Sequence, residues 1–324
     1  MNVELIAYGA FFLTVALSYA IICLGLNVQW GQTGLFNVGV AGFVGIGAYA
    51  SALLTTPDAP ERAGGFDLPI AVGWAGGACA AAFVAFLVGV LTLRLRADYL
   101  AIATFGVAVV VQLCALNLES LTGGPFGIGF IPRPFGALAG DPLLFGLLNF
   151  GLVAVTTLAV YLALERLLRS PWGRVLRAIR EDEQAALALG KNVIAFRLQA
   201  FAIGGAIMGL AGAVQAHFIG FIAPENYVPM LTFQVWAMLI VGGSGNNRGA
   251  ILGAILVWAI WAASAAVISA GVPPEHQARA AALQIVLIGI AICAVLLLRP
   301  RGILGEVRTV SRHVGQNTRP SAKP

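Results

Sequence analysis

The feature that most constrains this chain is a succession of nine apolar runs almost free of charge: Leu5–Leu26, Gly34–Thr55, Leu68–Leu93, Tyr99–Leu118, Leu143–Leu164, Val193–Phe218, Val228–Gly242, Ile251–Ala270 and Ala280–Leu298. A helix needs about 20 apolar residues to cross a hydrocarbon core of about 30 Å. In lipid every backbone N–H and C=O must find an internal partner, so only helices and closed barrels span. Barrel strands would alternate apolar and polar residues over about ten positions, and these runs do not alternate. A chain that is 59% hydrophobic and 10% charged also departs far from soluble domains, in which roughly 25% of residues are charged. The expected fold class is all-α: a polytopic integral membrane helical bundle of about nine transmembrane helices. The second run is rich in glycine and the seventh is short, so the expected range is eight to ten.

The basic residues set the orientation. With nine crossings and a cytoplasmic C-terminus, sixteen of the nineteen Lys and Arg fall inside; Arg62, Arg133 and Arg279 fall outside. The N-terminus is then periplasmic. The net charge of +5 reflects this asymmetry and the anionic inner leaflet, not nucleic-acid binding. Residues 1–305 read as one transmembrane domain, with a cytoplasmic segment at 166–192. The polar, basic stretch 306–324 reads as a disordered tail. No repeat of 20–50 residues is obvious. The four cysteines lie inside apolar runs without a CxxC pair and read as small buried hydrophobes.

Several activities are disfavoured. Every Asp and Glu lies at the end of an apolar run or outside one, whereas proton-driven carriers titrate an intramembrane carboxylate or His. His217, near the end of a run, is expected at the interface. Sodium held by carbonyls at a broken helix keeps an ion-coupled carrier as an alternative. The sequence contains no HExxH, GxSxG or metal-ligand cluster and no GxxxxGK[ST] phosphate loop, so no enzyme, cofactor or metal site is expected. The glycine-rich run at 242–249 reads as a tight interhelical turn. If ATP supplies the energy, another subunit binds it.

Two segments carry a mechanism. The first, Leu164 to Asn192, is the longest polar stretch between spans. Ser170 can cap a helix that starts at Pro171. Trp172, Val175, Leu176 and Ile179 then recur at helical spacing, Arg174, Arg177 and Arg180 line another face, and Gly190 is a natural C-cap. This is either an amphipathic helix on the inner leaflet or a docking helix for a cytoplasmic partner. The second segment is Gly31 to Gly39. Its glycines serve either a helix-packing face or a broken helix at a permeation path, where Asn37 would face solute and Gln32 and Thr33 would lie at the cytoplasmic end. Gln112, Asn149, Gln199, Gln215 and Gln234 are the other polar groups in or near spans. Most are expected to bond between helices, and Gln112 is a further candidate for the path.

Glu183 to Gly190, EQAALALG, resembles the E-A-A-x-x-x-G loop of ABC importer permeases, with one extra residue between the Glu and the Ala pair. Arg169 to Val214, Gly25 to Leu54, Ile240 to Ala254 and the closing RPRGILG, Arg299 to Gly305, resemble the permeases for leucine, isoleucine and valine, in particular the M-type subunit. The resemblance implies a permease subunit of an ATP-driven importer for branched-chain amino acids, multi-pass in a bacterial inner membrane. Urea, amides or another small organic solute are the alternative cargo. It also implies a second, similar permease, two cytoplasmic ATP-binding subunits and a periplasmic substrate-binding protein. The coupling residues would be Arg174, Arg177, Arg180, Glu181, Glu183, Ala185, Ala186 and Gly190, moved when the ATPase subunits close on ATP.

Overall fold

The computed structural model describes residues 2–58, 62–271, 273, 276–298 and 302–305. The tail expected at 306–324 lies outside the described residues. In chain order the helices are α1 (Asn2–Leu26), α2 (Val40–Thr55), α3 (Ile70–Thr92), α4 (Ala97–Asn117), α5 (Glu119–Thr122), α6 (Pro142–Arg169), α7 (Pro171–Glu181), α8 (Glu183–Ala188), α9 (Val193–Ile219), α10 (Pro229–Gly242), α11 (Asn247–Gly271) and α12 (Gln277–Leu298). Each of the nine apolar runs thus contains a helix, although the second is helical only from Val40. Among the described residues, six of these helices are long and apolar enough to cross a membrane, and α2 and α10 are shorter apolar helices. Local chemistry sets the ends. Asp141 Oδ1 accepts from the Leu143 and Leu144 amides at 3.1 and 3.2 Å, with Pro142 in the first turn of α6. Asn192 Oδ1 accepts from Ala195 N to start α9, and Gly220, at φ +80°, ends it.

The bundle turns its apolar side chains outward as well as inward. Leu91, Tyr99, Ile102, Val110, Val155, Leu158 and Leu162 are all more than half exposed, a surface that only lipid solvates without association. Three of the four cysteines follow suit. Cys23 is buried as expected, but Cys79, Cys114 and Cys293 lie on outward faces. In a membrane bundle the lipid-facing surface is as apolar as the core, so an apolar run does not say which way a residue points.

The centre is built from small residues. In α2, α3 and α9 a Cβ on Gly77 would lie 2.5 Å from the Gly47 carbonyl oxygen, and one on Gly212 would overlap the Val44 carbonyl. Such close approach of backbones is how helices associate where no hydrophobic difference from the solvent drives them together. α1 packs on α6, α9 and α11, and α3 on α9. Gln29 meets Phe201, and Ser18 meets Gln215, so α1 and α9 run antiparallel. The order of long, short, long and long helices in α1–α4 recurs in α9–α12 with the opposite sense. That duplication is not legible as a sequence repeat.

Alternating crossings gather Arg94, Arg96, the segment 166–191, Arg197 and Arg248 at one end, here called the basic end. The other end is closed by residues 118–141 and 220–228. These are joined by a two-way backbone bridge between Ile128 and Ile222 at 2.8 and 2.9 Å. His217, expected at the interface, lies beside this closed end and is fully buried: Nδ1 donates to Pro132 O at 2.8 Å, which leaves Nε2 to accept from Ser51 Oγ at 2.9 Å. Burial without a charge partner is tolerated because both ring nitrogens are hydrogen-bonded.

Candidate functional site

At the basic end two elements meet: an elbow formed by α7 and α8, and a break in the helical chain between α1 and α2.

The elbow forms as its residues dictate. Ser170 Oγ accepts from Trp172 N at 3.2 Å, and Pro171 occupies the first helical position. Leu176 and Ile179 are buried while Arg174 is exposed, which is the two-faced helix that the spacing demanded. Asp182 turns the chain and caps α8 through Ala185 N at 3.0 Å. Ala186 packs with Ile179 and Val193, and Gly190 closes α8 at φ +72°. Glu181, Ala185 and Gly190 are exposed. Glu183 reaches Arg197 at the start of α9 through two bonds of 2.9 and 2.8 Å. Trp172 Nε1 donates to Gln199 at 2.8 Å, so α9 holds both arms.

Glu183 and Arg197 are half-buried, and a pair of that kind contributes about 1 kcal/mol or less. Glu183→Arg is therefore expected to leave global stability nearly unchanged while loosening α8. Amide hydrogen exchange across residues 183–190 should accelerate by up to about fivefold. The reciprocal swap Glu183→Arg/Arg197→Glu should restore the slow rate; if it does not, the pair is not what anchors the arm.

The break starts where α1 widens into a π-type turn over Asn27–Gly31 and ends at Gly39. Gly34 takes φ +75°, open to glycine but strained for other residues. Asn37 holds the centre. Its Nδ2 donates to Gln29 Oε1 at 2.7 Å, its Oδ1 accepts from Gly39 N at 2.7 Å, and its carbonyl accepts from Trp236 Nε1 at 2.9 Å. Gln29 in turn donates to Phe201 O at 2.8 Å. Nearer the basic end Gln32 Nε2 donates to Gly245 O at 2.8 Å, while Gln32 Oε1 is buried without a partner among the described residues. Asn27 bridges Asn247 Oδ1 and Gly245 N at 2.9 and 2.8 Å, and Asn247 also donates to Glu165. Trp30, Phe36 and Trp236 form an aromatic cluster with ring centroids 4.7–5.3 Å apart, a separation at which edge-on pairs attract.

A cavity of about 870 Å³ joins the two elements, lined among others by Gln32, Glu165, Arg169, Arg174, Arg177 and Arg248. Its lining includes Ile303 and Leu304, whose amides bond Val241 O and Gly242 O at 2.9 Å and lay residues 302–305 across the end of α10. Arg174 and Arg177, expected for coupling, thus line the same cavity as Gln32, expected for the path. Thr33 is spent on Val28 O and is buried. Gln112 stands apart, about two turns along α4 from Thr104, the residue that meets the break at Val38. Gln29, Trp236, Asn247 and Arg197 were not singled out beforehand. Asn27 and Gln29, polar and two apart at the end of an apolar run, were the available signal.

A family model described as branched-chain amino acid transport system / permease component matches residues 9–296. The chain belongs to this permease family. It is a family of transport subunits, not of enzymes, and the chain is a multi-pass membrane protein. It is 39% identical over 270 residues to the high-affinity branched-chain amino acid transport system permease protein LivM of Escherichia coli K12, covering 75% of this chain and 60% of that protein. It is 29% identical over 269 residues to the probable branched-chain amino acid transport permease protein LivM of Methanocaldococcus jannaschii, covering 73% and 75%. Escherichia coli K12 LivH, a permease protein of the same high-affinity system, is 26% identical over 303 residues, covering 90% and 93%. The chain thus spans about 60% of the length of the bacterial LivM proteins it matches. No solved structure matches it.

Proposed function

We propose that this chain is a permease subunit of an ATP-driven importer, carrying branched-chain amino acids across a bacterial inner membrane. In this reading the basic end is cytoplasmic and the N-terminus periplasmic, in keeping with the bias of Lys and Arg. A second permease resembling LivH pairs with the chain. Two ATP-binding subunits dock on the elbow, and a periplasmic protein delivers the amino acid. ATP is bound by those partners, and this chain needs no cofactor of its own. Arg174, Arg177, Glu181 and Ala185 offer side chains for docking, Ala186 and Gly190 shape α8, and Asn37 with Gln32 lies beside the route of the solute.

The observation that carries the reading is that the elbow hydrogen-bonds to the break, so a partner that moves one must disturb the other. The test combines purification with transport. The complete importer should yield ATPase subunits co-purifying with this chain, and a strain lacking the chain should lose uptake of labelled leucine. Unchanged leucine uptake would remove the cargo. Transport by the isolated chain, collapsed by an ionophore, would replace the importer with an ion-coupled carrier.

A further inference from the structure

Arg180 lies in the last turn of α7, and its Nη1 donates to the carbonyl of Gly31, where the π-type turn of α1 gives way to the break. Its aliphatic stem lies along Gly34: a Cβ there would come 3.2 Å from Arg180 Cγ. The elbow is thus bonded to the one stretch between α1 and α2 where the backbone has left helical geometry.

That stretch cannot absorb a pull locally. Gly34 N bonds back to Trp30 O at 2.9 Å and Leu35 N to Gln29 O at 2.8 Å. Gln32 is tied to Gly245, and Asn37 is tied to Gln29 and Trp236. Trp30 immediately precedes Gly31 and Phe36 follows five residues later, and both close on Trp236. Trp30 and Phe36 are only half-buried, so the cluster sits at the edge of the bundle and not in its dry centre. A displacement of α7 would therefore be passed through a few short bonds to three aromatic rings. Packed contacts of this kind change by discrete repacking and not by gradual yielding.

We propose that Arg180 is the positioning residue that transmits movement of the elbow to the break, and that the Trp30–Phe36–Trp236 cluster is the gate this movement opens. The proposal rests on the importer reading above and names the link inside this chain. Arg180 touches no solute; it acts through the Gly31 carbonyl.

The test uses the complete importer in proteoliposomes, with ATP hydrolysis and uptake of labelled leucine measured on the same vesicles. Arg180→Ala should leave ATP hydrolysis largely intact and lower leucine uptake per ATP by about tenfold, the size of an ordinary coupling between sites. Arg180→Lys, which keeps a charged donor of similar reach, should recover part of it. In Trp236→Phe the ATP-dependent change in tryptophan fluorescence should shrink; in Arg180→Ala it should shrink at least as far although hydrolysis continues. An Arg180→Ala importer whose uptake per ATP equals that of the unaltered importer overturns the proposal. So does one that loses hydrolysis and uptake in the same proportion, because Arg180 would then serve docking alone. Where Arg180→Ala does not assemble, Gly34→Ala displaces the arginine stem and keeps its charge; it should uncouple in the same way, and unchanged coupling there overturns the proposal too. Failure of the importer reading would look different: the unaltered complex would neither hydrolyse ATP nor take up leucine.

Discussion

Gly212→Val is expected to deprive the chain of its folded state. Gly212 faces α2 so closely that a Cβ would overlap the Val44 carbonyl oxygen and approach Ala48 N to 3.2 Å. Both are backbone atoms, so no rotamer change relieves the overlap and the two helices must separate. Separation also opens the contact with α3, where Gly209 lies against Ala81 and Gly77. Overpacking of a close-packed interface costs about 3 kcal/mol or more when the neighbour cannot give, and association in lipid has little besides such packing to hold it. Size-exclusion chromatography and thermal unfolding in detergent should show aggregated or strongly destabilised protein. Gly106→Ala and Gly151→Ala supply the contrast. A Cβ at either meets nothing within 4 Å, so the usual gain of about 1 kcal/mol for Ala over Gly in a helix should leave them as stable as the unaltered chain or slightly more so. Similar melting curves for all three would mean that the α2–α9 contact is not the tight one.

The same glycines show how far the sequence could be read. The apolar runs located the helices well: Leu68–Leu93 became Ile70–Thr92, and Val193–Phe218 became Val193–Ile219. In such a chain an apolar run has few alternatives to a helix. The glycines from Gly31 onward gave two readings, helix packing and a break at a path; the chain is broken at 32–39 and packed closely beyond it. Gly42, Gly45 and Gly47 pack against α4, the 224–227 turn and α9, while the run unwinds before Val40. Glycine weakens a helix and admits close neighbours alike; what decides is the partner, and partners are distant in sequence. Asn27 meets Asn247 across 220 positions, and Asn37 holds Trp236 from 199 away. The two faces of α7 were legible because 3.6-residue periodicity is local. The anchoring of Glu183 by Arg197 and the burial of His217 were not, because each depends on where another element comes to rest.

Asn37→Leu carries the other large effect. The substitution keeps the number and branching of side-chain heavy atoms but removes both the donor to Gln29 Oε1 and the acceptor for Gly39 N, in a place with no measurable exposure. Each buried polar group left without a partner costs about 1–3 kcal/mol, so the loss of two is expected at about 2–6 kcal/mol. The break would then resolve in one of two ways. Its first residues could join α2, which draws Phe36 away from Trp236, or the segment could loosen and release the Trp236 indole from the Asn37 carbonyl. Either way the aromatic cluster changes, so leucine uptake should fall further than the amount of folded protein does. Gln29→Leu/Asn37→Leu separates the bond from the rest. With both partners of the 2.7 Å bond replaced by apolar groups, the pair should cost less than the sum of the single changes. Additive losses would show that the two amides do not act as a unit. Uptake that follows the amount of folded protein in both variants would show that the break has no part in the path.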